Sequence, residues 1–249
     1  MTATYTHGKF VWFEHMSPEI DTARAFYEAL FGWRSNVVPM GTDSYPMIQH
    51  GEQGIGGYRK ATGKAPTHWI AYLSVPDVDA SFKAIAAQGC RTMLAPTDIG
   101  PGRMAAVADP TGASFALWKG ADGDNPDRPS RVGEWHWTEL WTTDEKKAVE
   151  FYQATFGYSV DTMAMPTGTY YILKKDGVPR AGLMRSSEPK AHSMWLSYVS
   201  VEDCDATLRK AESLGAKVVV PSIDMPQVGR FAVLVDPVGA AIGVIQVPH

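Results

Sequence analysis

The chain has 249 residues, of which 45% are apolar and 20% charged, and its net charge is −4. This composition excludes a disordered or collagen-like chain and, at about 100–200 residues per domain, suggests one large domain or two ordinary ones. The charge is evenly spread, with 10 basic and 12 acidic residues up to Asn125 and 13 and 15 beyond it. An even spread argues against nucleic acid as the main partner.

The sequence contains no apolar run of about 18 residues and no basic start followed by an apolar block. We therefore expect no membrane partner and no classical signal peptide. Cys90 and Cys204 are too few for a disulfide framework and do not occupy equivalent places in the two halves. Reduced thiols and a cytoplasmic location are the resulting expectations.

In chain order, the sequence of the first half predicts two βαβββ units. A strand over 10–15 is followed by Ser17-Pro18-Glu19, where a capping hydroxyl before a proline predicts a helix start. Apolar residues at helical spacing lead to Gly32, which ends this helix. The sequence further predicts strands over 34–39, 44–50, 54–60 and 69–75, a helix over 79–88, and strands over 91–94, 103–108 and 114–118.

The second half repeats this order at an offset that drifts from 125 to 127 residues. The Phe26-Tyr27 pair matches Phe151-Tyr152, and the Asp-Pro-x-Gly turn at 109–112 matches the one at 236–239. Between the halves lies a stretch rich in Gly, Pro and Asp with almost nothing apolar to bury. We predict two domains, 1–119 and 134–249, joined by a linker over 120–133.

This repeated pattern resembles the vicinal oxygen chelate superfamily, which includes glyoxalase I, bleomycin-resistance proteins and extradiol dioxygenases. The motifs are Phe-Tyr near the end of the first helix, Phe-Gly after it, and Asp-Pro-x-Gly before the last strand, each present twice. The resemblance implies an α+β fold in which four βαβββ modules form two cupped mixed β-sheets with helices on their convex faces. It also implies a ligand in each cup and a divalent metal held by strand His, Gln and Glu side chains.

The residues at the metal-ligand positions depart from the family. The usual first-strand His falls on Trp12 and Trp137, and the usual last-strand Glu falls on Ala116 and Gly243. An indole nitrogen only donates, and neither alanine nor glycine carries a donor atom for a metal. Because His68 alone could serve on the other first strands, we expect no metal and no other cofactor.

Two carboxylates lie beside the missing ligands. Glu14 and Glu139 follow Trp12 and Trp137 by two residues, so each shares a strand face with its tryptophan. Either carboxylate could contact a ligand or act as a general base, which makes both candidate catalytic residues. The alternative is a structural Glu satisfied by backbone groups or water. His15 and His136 fall on the opposite, helix-covered face, where we expect packed core residues.

Tryptophans lie on the strand face where the family's metal ligands are expected. Most tryptophans on predicted strands alternate toward the face of the lost ligands, which is typical of a pocket for a flat or apolar small molecule. The alternative is that these indoles fill the core or pack the halves together. The predicted ligand-facing tryptophans are Trp12, Trp69, Trp118, Trp135, Trp137, Trp141 and Trp195.

Arg103 and Arg230 occupy equivalent places at the start of the strand before the Asp-Pro-x-Gly turn. Each could bind a ligand carboxylate or phosphate with two hydrogen bonds, or form a surface salt bridge, for example to the turn aspartate. Asp109 and Asp236 are predicted to form the turns themselves. Asp77, Asp79, Asp203 and Asp205 are predicted to begin helices.

Three functions stay open at this point. The first is a metal-free protein that binds a small molecule in an aromatic cup, as bleomycin-resistance proteins do. The second is a metal-dependent enzyme, a lyase or isomerase like lactoylglutathione lyase or an extradiol dioxygenase, with a shifted site that uses His68, Glu14 or Glu139. The third is metal-independent acid–base catalysis by one of those glutamates. Since one chain carries both module pairs, a monomer is sufficient for the fold, and a dimer stays open.

Overall fold

The structure is a computed structural model that describes residues 4–40, 43–61, 66–166, 168–188 and 191–248. Within these residues the chain forms sixteen strands and four helices, arranged as four successive βαβββ modules. The first half contains β1 (Phe10–Ser17), α1 (Ile20–Phe31), β2 (Arg34–Met40), β3 (Asp43–His50), β4 (Gln53–Lys60), β5 (His68–Ser74), α2 (Val78–Ala87), β6 (Thr92–Asp98), β7 (Gly102–Ala108) and β8 (Ser114–Gly120).

The second half repeats these elements, which confirms the predicted tandem order. It contains β9 (Trp135–Thr142), α3 (Glu145–Phe156), β10 (Ser159–Met165), β11 (Gly168–Lys175), β12 (Val178–Arg185), β13 (Met194–Ser200), α4 (Cys204–Ser213), β14 (Lys217–Met225), β15 (Gly229–Val235) and β16 (Ala241–Gln246).

Each half forms one curled, mixed sheet of eight strands. The first sheet has the order β2-β3-β4-β1-β5-β8-β7-β6, and the second has the equivalent order β10-β11-β12-β9-β13-β16-β15-β14. Within each module the outer strands pair antiparallel, while β1 pairs with β4 and β5 with β8 in parallel. The α+β fold of four βαβββ modules predicted from the sequence is therefore confirmed.

Several element boundaries differ from the predictions, and two of them change how the sequence is interpreted. β1 continues through Ser17, whose hydroxyl accepts a hydrogen bond from the Glu19 amide at 2.9 Å, and the helix begins only at Ile20. β6 runs on to Asp98, beyond its predicted end at residue 94, because two register shifts against β7 interrupt the period-two pattern. By contrast, Asp77 and Asp203 cap their helices as predicted.

Spatial contacts between residues divide the chain into two compact units. Each unit contains one module from the first half and one from the second half. Unit 1 comprises Met1–Trp12, Ala71–Asp127 and Trp137–Trp195, and unit 2 comprises Phe13–Ile70, Arg128–His136 and Leu196–His249. Inside a unit, modules that are distant in sequence therefore share a core. The domain boundaries predicted from the sequence, with domains at 1–119 and 134–249, stay predictions.

In unit 2, a buried hydrogen-bond network joins the two halves of the chain. The Tyr27 hydroxyl on α1 donates to Asp236 Oδ2 at 2.9 Å and accepts from Trp69 Nε1 at 2.9 Å. His15 Nε2 lies 2.8 Å from the same Asp236 oxygen, and all four side chains are buried. Because Asp236 belongs to the turn between β15 and β16, this network fixes the fourth module against the first.

Unit 1 contains the equivalent network. The Tyr152 hydroxyl on α3 donates to Asp109 Oδ2 at 3.1 Å and accepts from Trp195 Nε1 at 3.0 Å. Leu140 stands at the place equivalent to His15, so the histidine contact exists in unit 2 and not at the matching position of unit 1.

The aspartates form their turns, as predicted, and also make these contacts between the halves. Asp109 Oδ1 accepts from the Thr111 amide at 2.8 Å and from the Ala113 amide at 3.1 Å, which leaves Oδ2 to Tyr152. In the other unit, Asp236 Oδ1 accepts from two backbone amides of its turn at 3.0 and 2.8 Å. A single carboxylate thus closes a local turn and holds a distant helix.

The connection between β8 and β9 has no helix or strand over residues 121–134, but it is held by side-chain contacts. Within unit 1, Asp124 Oδ2 accepts from the Thr6 amide at 2.6 Å. Within unit 2, Arg128 donates to both oxygens of Glu134, at 2.7 and 2.9 Å. None of the helices in the described ranges is long and apolar enough to cross a membrane.

Removing the Tyr152 hydroxyl should destabilise the fold in a pH-dependent way. Burial raises the pKa of Asp109, and the Tyr152 hydrogen bond opposes that rise because it favours the ionised carboxylate. Tyr152→Phe should therefore raise the pKa of Asp109 further and lower the free energy of unfolding at neutral pH by about 1–3 kcal/mol.

The loss should shrink as the pH falls through the folded-state pKa, since a protonated Asp109 no longer needs this donor. Urea unfolding at neutral and at acidic pH measures both effects. Tyr171→Phe, at a partly exposed position on β11, is the matched control and should change little. An equal loss at both pH values would contradict the role given to Asp109.

Candidate functional site

In unit 1, strands from the second half of the chain carry an aromatic surface around a buried carboxylate. Alternation along β9 places Trp137, Glu139 and Trp141 on one side of the strand. Met184 on β12 pairs with Trp141, and Tyr170 on β11 pairs with Met184. These five residues define the Glu139 face.

Hydrogen bonds fix the Glu139 carboxylate within this face. The Tyr170 hydroxyl donates to Oε2 at 2.8 Å and accepts from Trp137 Nε1 at 2.8 Å. Trp141 Nε1 donates to Oε1 at 2.6 Å. Glu139 is 7% exposed, whereas the two indoles are partly exposed. Burial, followed by the nearby Glu139 charge, raises the pKa of Tyr170, which therefore stays a neutral donor.

Gly182 makes the approach of Tyr170 to the carboxylate possible. Gly182 pairs with Glu139 across the parallel strands, and a Cβ there would overlap the Tyr170 hydroxyl. Gly57 stands in the same relation to Tyr45 in the first half. In both halves a glycine therefore admits a tyrosine hydroxyl beside the strand that carries the glutamate.

The equivalent surface in unit 2 has a different composition. Glu14 and Met16 lie on β1, Arg59 on β4 pairs with Met16, and Tyr45 lies on β3; these four residues define the Glu14 face. Arg59 Nε donates to Glu14 Oε2 at 3.0 Å, and the guanidinium carbon lies 5.4 Å from the centre of the Tyr45 ring. Trp12 lies two residues before Glu14 on β1 and is partly exposed, and its contact with a ligand stays a prediction.

Two of the predicted ligand-facing tryptophans are buried in the core, and a third, Trp135, is partly exposed. Trp69 is 7% exposed and its ring centroid lies 4.9 Å from that of His15, which alternates away from Glu14. Trp195 is 5% exposed and bonded to Tyr152. Trp135 stacks on the Phe13 ring at 4.3 Å. The packing alternative therefore describes Trp69 and Trp195. A ligand contact of Trp135 stays a prediction.

Trp118 keeps a position compatible with its prediction. It is partly exposed, and its ring centroid lies 6.1 Å from that of Tyr72 within unit 1. A role for Trp118 in ligand binding stays a prediction.

The two candidate anion-binding arginines are engaged in ion pairs with their own neighbours. Arg103 contacts both oxygens of Asp79, at 2.6 and 2.8 Å, and Asp98 at 3.0 Å. Arg230 makes the equivalent contacts with Asp205 and Asp224. The surface salt-bridge alternative is therefore the one observed, although the partner is a helix-start aspartate and not the turn aspartate.

The two histidines behave differently from each other. His15 is a fully buried core residue, as predicted. His136 is exposed, with Nδ1 2.7 Å from Ser130 Oγ, so its prediction as a core residue is wrong.

The residues at the family's ligand positions do not fit a divalent metal. A Cβ at Gly243 would overlap the Tyr198 ring, so the space for a last-strand Glu side chain is already filled. His68 Nδ1 lies 2.8 Å from the Pro66 carbonyl oxygen. Over the described part of the chain, no group of three or more His, Cys, Asp and Glu side chains could hold a metal ion.

Sequence reasoning missed Tyr45, Tyr170, Arg59 and Met184 as members of the two faces. A signal existed for the tyrosines, because Tyr45 and Gly57 recur as Tyr170 and Gly182 at the same offset. Arg59 and Met184 differ between the halves, so the repeat gave no signal for them.

Comparison with known proteins gives consistent family matches in both halves. Residues 9–117 match the family model of the Glyoxalase/Bleomycin resistance protein/Dioxygenase superfamily, and residues 137–245 match that of the Glyoxalase-like domain. The Mycobacterium bovis protein named "Putative glyoxylase CFP32" is 33% identical over 250 residues, covering 97% of this chain and 96% of the relative. The anthracycline biosynthesis protein DauV of Streptomyces sp. strain C5 is 31% identical and covers 97% and 94%.

Solved structures share the fold at low sequence identity. The Mn(II)-bound glyoxalase from Novosphingobium aromaticivorans superposes with a TM-score of 0.66 at 16% identity, covering 96% of this chain and 82% of the other. Homoprotocatechuate 2,3-dioxygenase from Arthrobacter globiformis gives a TM-score of 0.64 at 14% identity, with 99% and 82% covered.

Placing a methyl group at Gly182 should disrupt the Glu139 face. Gly182→Ala should displace Tyr170 from the carboxylate and lower the free energy of unfolding by about 1–3 kcal/mol through overpacking. Urea unfolding checks the loss. In a Tyr170→Leu background, Gly182→Ala should lower the free energy of unfolding by less than it does in the wild-type chain. Additive losses would show that the glycine does not act through Tyr170.

Breaking the ion pair between Arg103 and Asp79 should return the pKa of Asp79 toward its ordinary value. The Arg103 guanidinium holds the pKa of Asp79 below its ordinary value, so this contact favours the folded state above the unfolded-state pKa and less as the pH falls through the folded-state pKa. Arg103→Gln should raise the pKa of Asp79, measured by NMR titration of the side-chain carboxyl carbon. Arg91→Gln, at an exposed position before β6, should leave it unchanged.

Proposed function

The chain belongs to the Glyoxalase/Bleomycin resistance protein/Dioxygenase superfamily, and from this premise we propose that it binds a small, flat, largely apolar molecule on the Glu139 face without the family's divalent metal. The observation that carries the proposal is the hydrogen bonding of Glu139, whose two oxygens accept from an indole and a phenol. A carboxylate held in this way sets the orientation of the aromatic rings beside it.

The groups around Glu139 suit a flat apolar ligand. Trp137 and Trp141 each present a partly exposed indole, and Met184 adds a flexible thioether. Met163, on the strand next to Tyr170, is 37% exposed and extends this apolar surface. Indole and thioether groups bind planar molecules mainly through apolar burial and dispersion, and they adapt to more than one shape.

We favour binding over acid–base turnover at Glu139. A general base must accept a proton at an oxygen that reaches the substrate. Here the Trp141 and Tyr170 donors favour the ionised carboxylate, and Glu139 is 7% exposed, which limits its access to a substrate. In this proposal Glu139 is a positioning residue, and its two donors fix the indoles for the ligand.

The proposed partner is a small molecule and not a nucleic acid or a membrane. We also propose that one chain suffices, since each compact unit combines modules from both halves of the same chain. The cysteines are free thiols, with Cys204 buried and Cys90 partly exposed, which agrees with the proposed cytoplasmic location.

A fluorescent probe tests the proposal directly. N-phenyl-1-naphthylamine is flat and uncharged, and it brightens when it leaves water. We expect it to bind the purified protein after treatment with EDTA, with well under one metal ion per chain by elemental analysis. Trp137→Ala should weaken binding about tenfold, which corresponds to about 1.4 kcal/mol. Val178→Ala, at an exposed apolar position at the start of β12, should not.

Two results would overturn the proposal. One is a stoichiometric metal that survives dialysis and supports turnover of the methylglyoxal–glutathione adduct or of catechols. The other is probe binding that is unchanged in both Trp137→Ala and Trp141→Ala.

A further inference from the structure

The two glutamate faces use different residues to donate a hydrogen bond to their buried carboxylates. Each buried glutamate needs a hydrogen-bond donor, because an unpaired buried carboxylate is strongly destabilising. In unit 1 the donor is Trp141 on the same strand, whose cross-strand partner is Met184. In unit 2 the tryptophan position holds Met16, and its cross-strand partner is Arg59, which supplies the donor. In the Glu14 face this donor therefore lies on the neighbouring strand and carries a positive charge, unlike Trp141 in the Glu139 face.

In the Glu14 face the more exposed member of the ion pair is the arginine. The Glu14 side chain is 4% exposed and the Arg59 side chain is 39% exposed, so solvent reaches Arg59 far more than Glu14. The hydrogen bond to Glu14 and the Tyr45 ring beneath it hold the guanidinium in one orientation. An arginine fixed in this way loses little conformational entropy when it binds an anion.

In the Glu139 face the corresponding position is uncharged. Met184 is partly exposed, and the carboxylate is bound by neutral indole and phenol donors. A ligand anion at this position would meet a thioether, and the Glu139 charge is not offset by a cation there as the Glu14 charge is by Arg59, which disfavours the anion.

We propose that the two faces select ligands of different charge. The Glu14 face binds a flat molecule with an anionic substituent, such as a carboxylate, sulfonate or phosphate, which Arg59 contacts, and the Glu139 face binds the uncharged counterpart. This inference rests on the proposed function, since it assumes that both faces hold small molecules. Arg59 and Met184 are then the residues that determine specificity.

Two dyes with a common skeleton separate charge from shape. 8-Anilinonaphthalene-1-sulfonate and N-phenyl-1-naphthylamine share the same rings and differ by one sulfonate group. Arg59→Met, which copies the residue at the matching position of the second half, should weaken sulfonate-dye binding about tenfold and change neutral-dye binding less than about twofold. Added salt should weaken only the sulfonate dye.

The reverse exchange gives a gain of function. Met184→Arg should create sulfonate-dye binding on the Glu139 face, seen as a second site in the titration. Because Arg59→Met leaves Glu14 buried beside an apolar side chain, the double variant Glu14→Gln/Arg59→Met repeats the test without an unpaired charge. Near-UV circular dichroism confirms that each variant keeps native packing before its titration is read.

The outcomes distinguish this inference from the proposed function. If wild-type protein binds neither dye, the proposed function is wrong. If the neutral dye binds and depends on Trp137, while sulfonate-dye binding is unchanged in Arg59→Met, in the double variant and in Met184→Arg, the proposed function stands and the charge selectivity is wrong.

Discussion

Each compact unit depends on a buried aspartate that accepts a tyrosine hydroxyl from the other half of the chain. Asp109 binds Tyr152 in one unit, and Asp236 binds Tyr27 in the other. Burial of a carboxylate is tolerated only when its oxygens are satisfied, and here one oxygen closes a turn while the other reaches a helix about 43 or 209 residues away in sequence. The same constraint places a tryptophan nitrogen on each tyrosine, and thereby assigns Trp69 and Trp195 to the core.

The two halves share this framework but differ where they meet solvent. Glutamate, tyrosine and glycine recur at matching positions around Glu14 and Glu139, so both faces have a fixed carboxylate. One donor to the carboxylate differs between the halves: Arg59 donates to Glu14, and Trp141 donates to Glu139. A duplicated framework with one exchanged donor pair can therefore present two surfaces of different charge without altering the fold.

By the family resemblance, the indoles of Trp12 and Trp137 take the places expected for metal-binding histidines. The Tyr198 ring fills the space beside Gly243. The aromatic groups that occupy these positions suit apolar burial, and the ion pairs of Arg103 and Arg230 hold the ends of strands to helix starts. Membership in the family thus fixes the architecture, while ligand binding by the two faces is our proposal.

The sequence by itself determined the module order, the tandem repeat, the turns at Asp109 and Asp236, and the shared face of Trp137 and Glu139. These features follow from residue spacing, which governs turns and the alternation of side chains along one strand. Only the tertiary structure decided that Trp69 and Trp195 lie in the core, that Arg103 binds Asp79, and that Arg59 and Tyr170 reach the glutamates. Those contacts join separate strands and helices, so they depend on which elements pair and in which register, and spacing along the chain does not specify either.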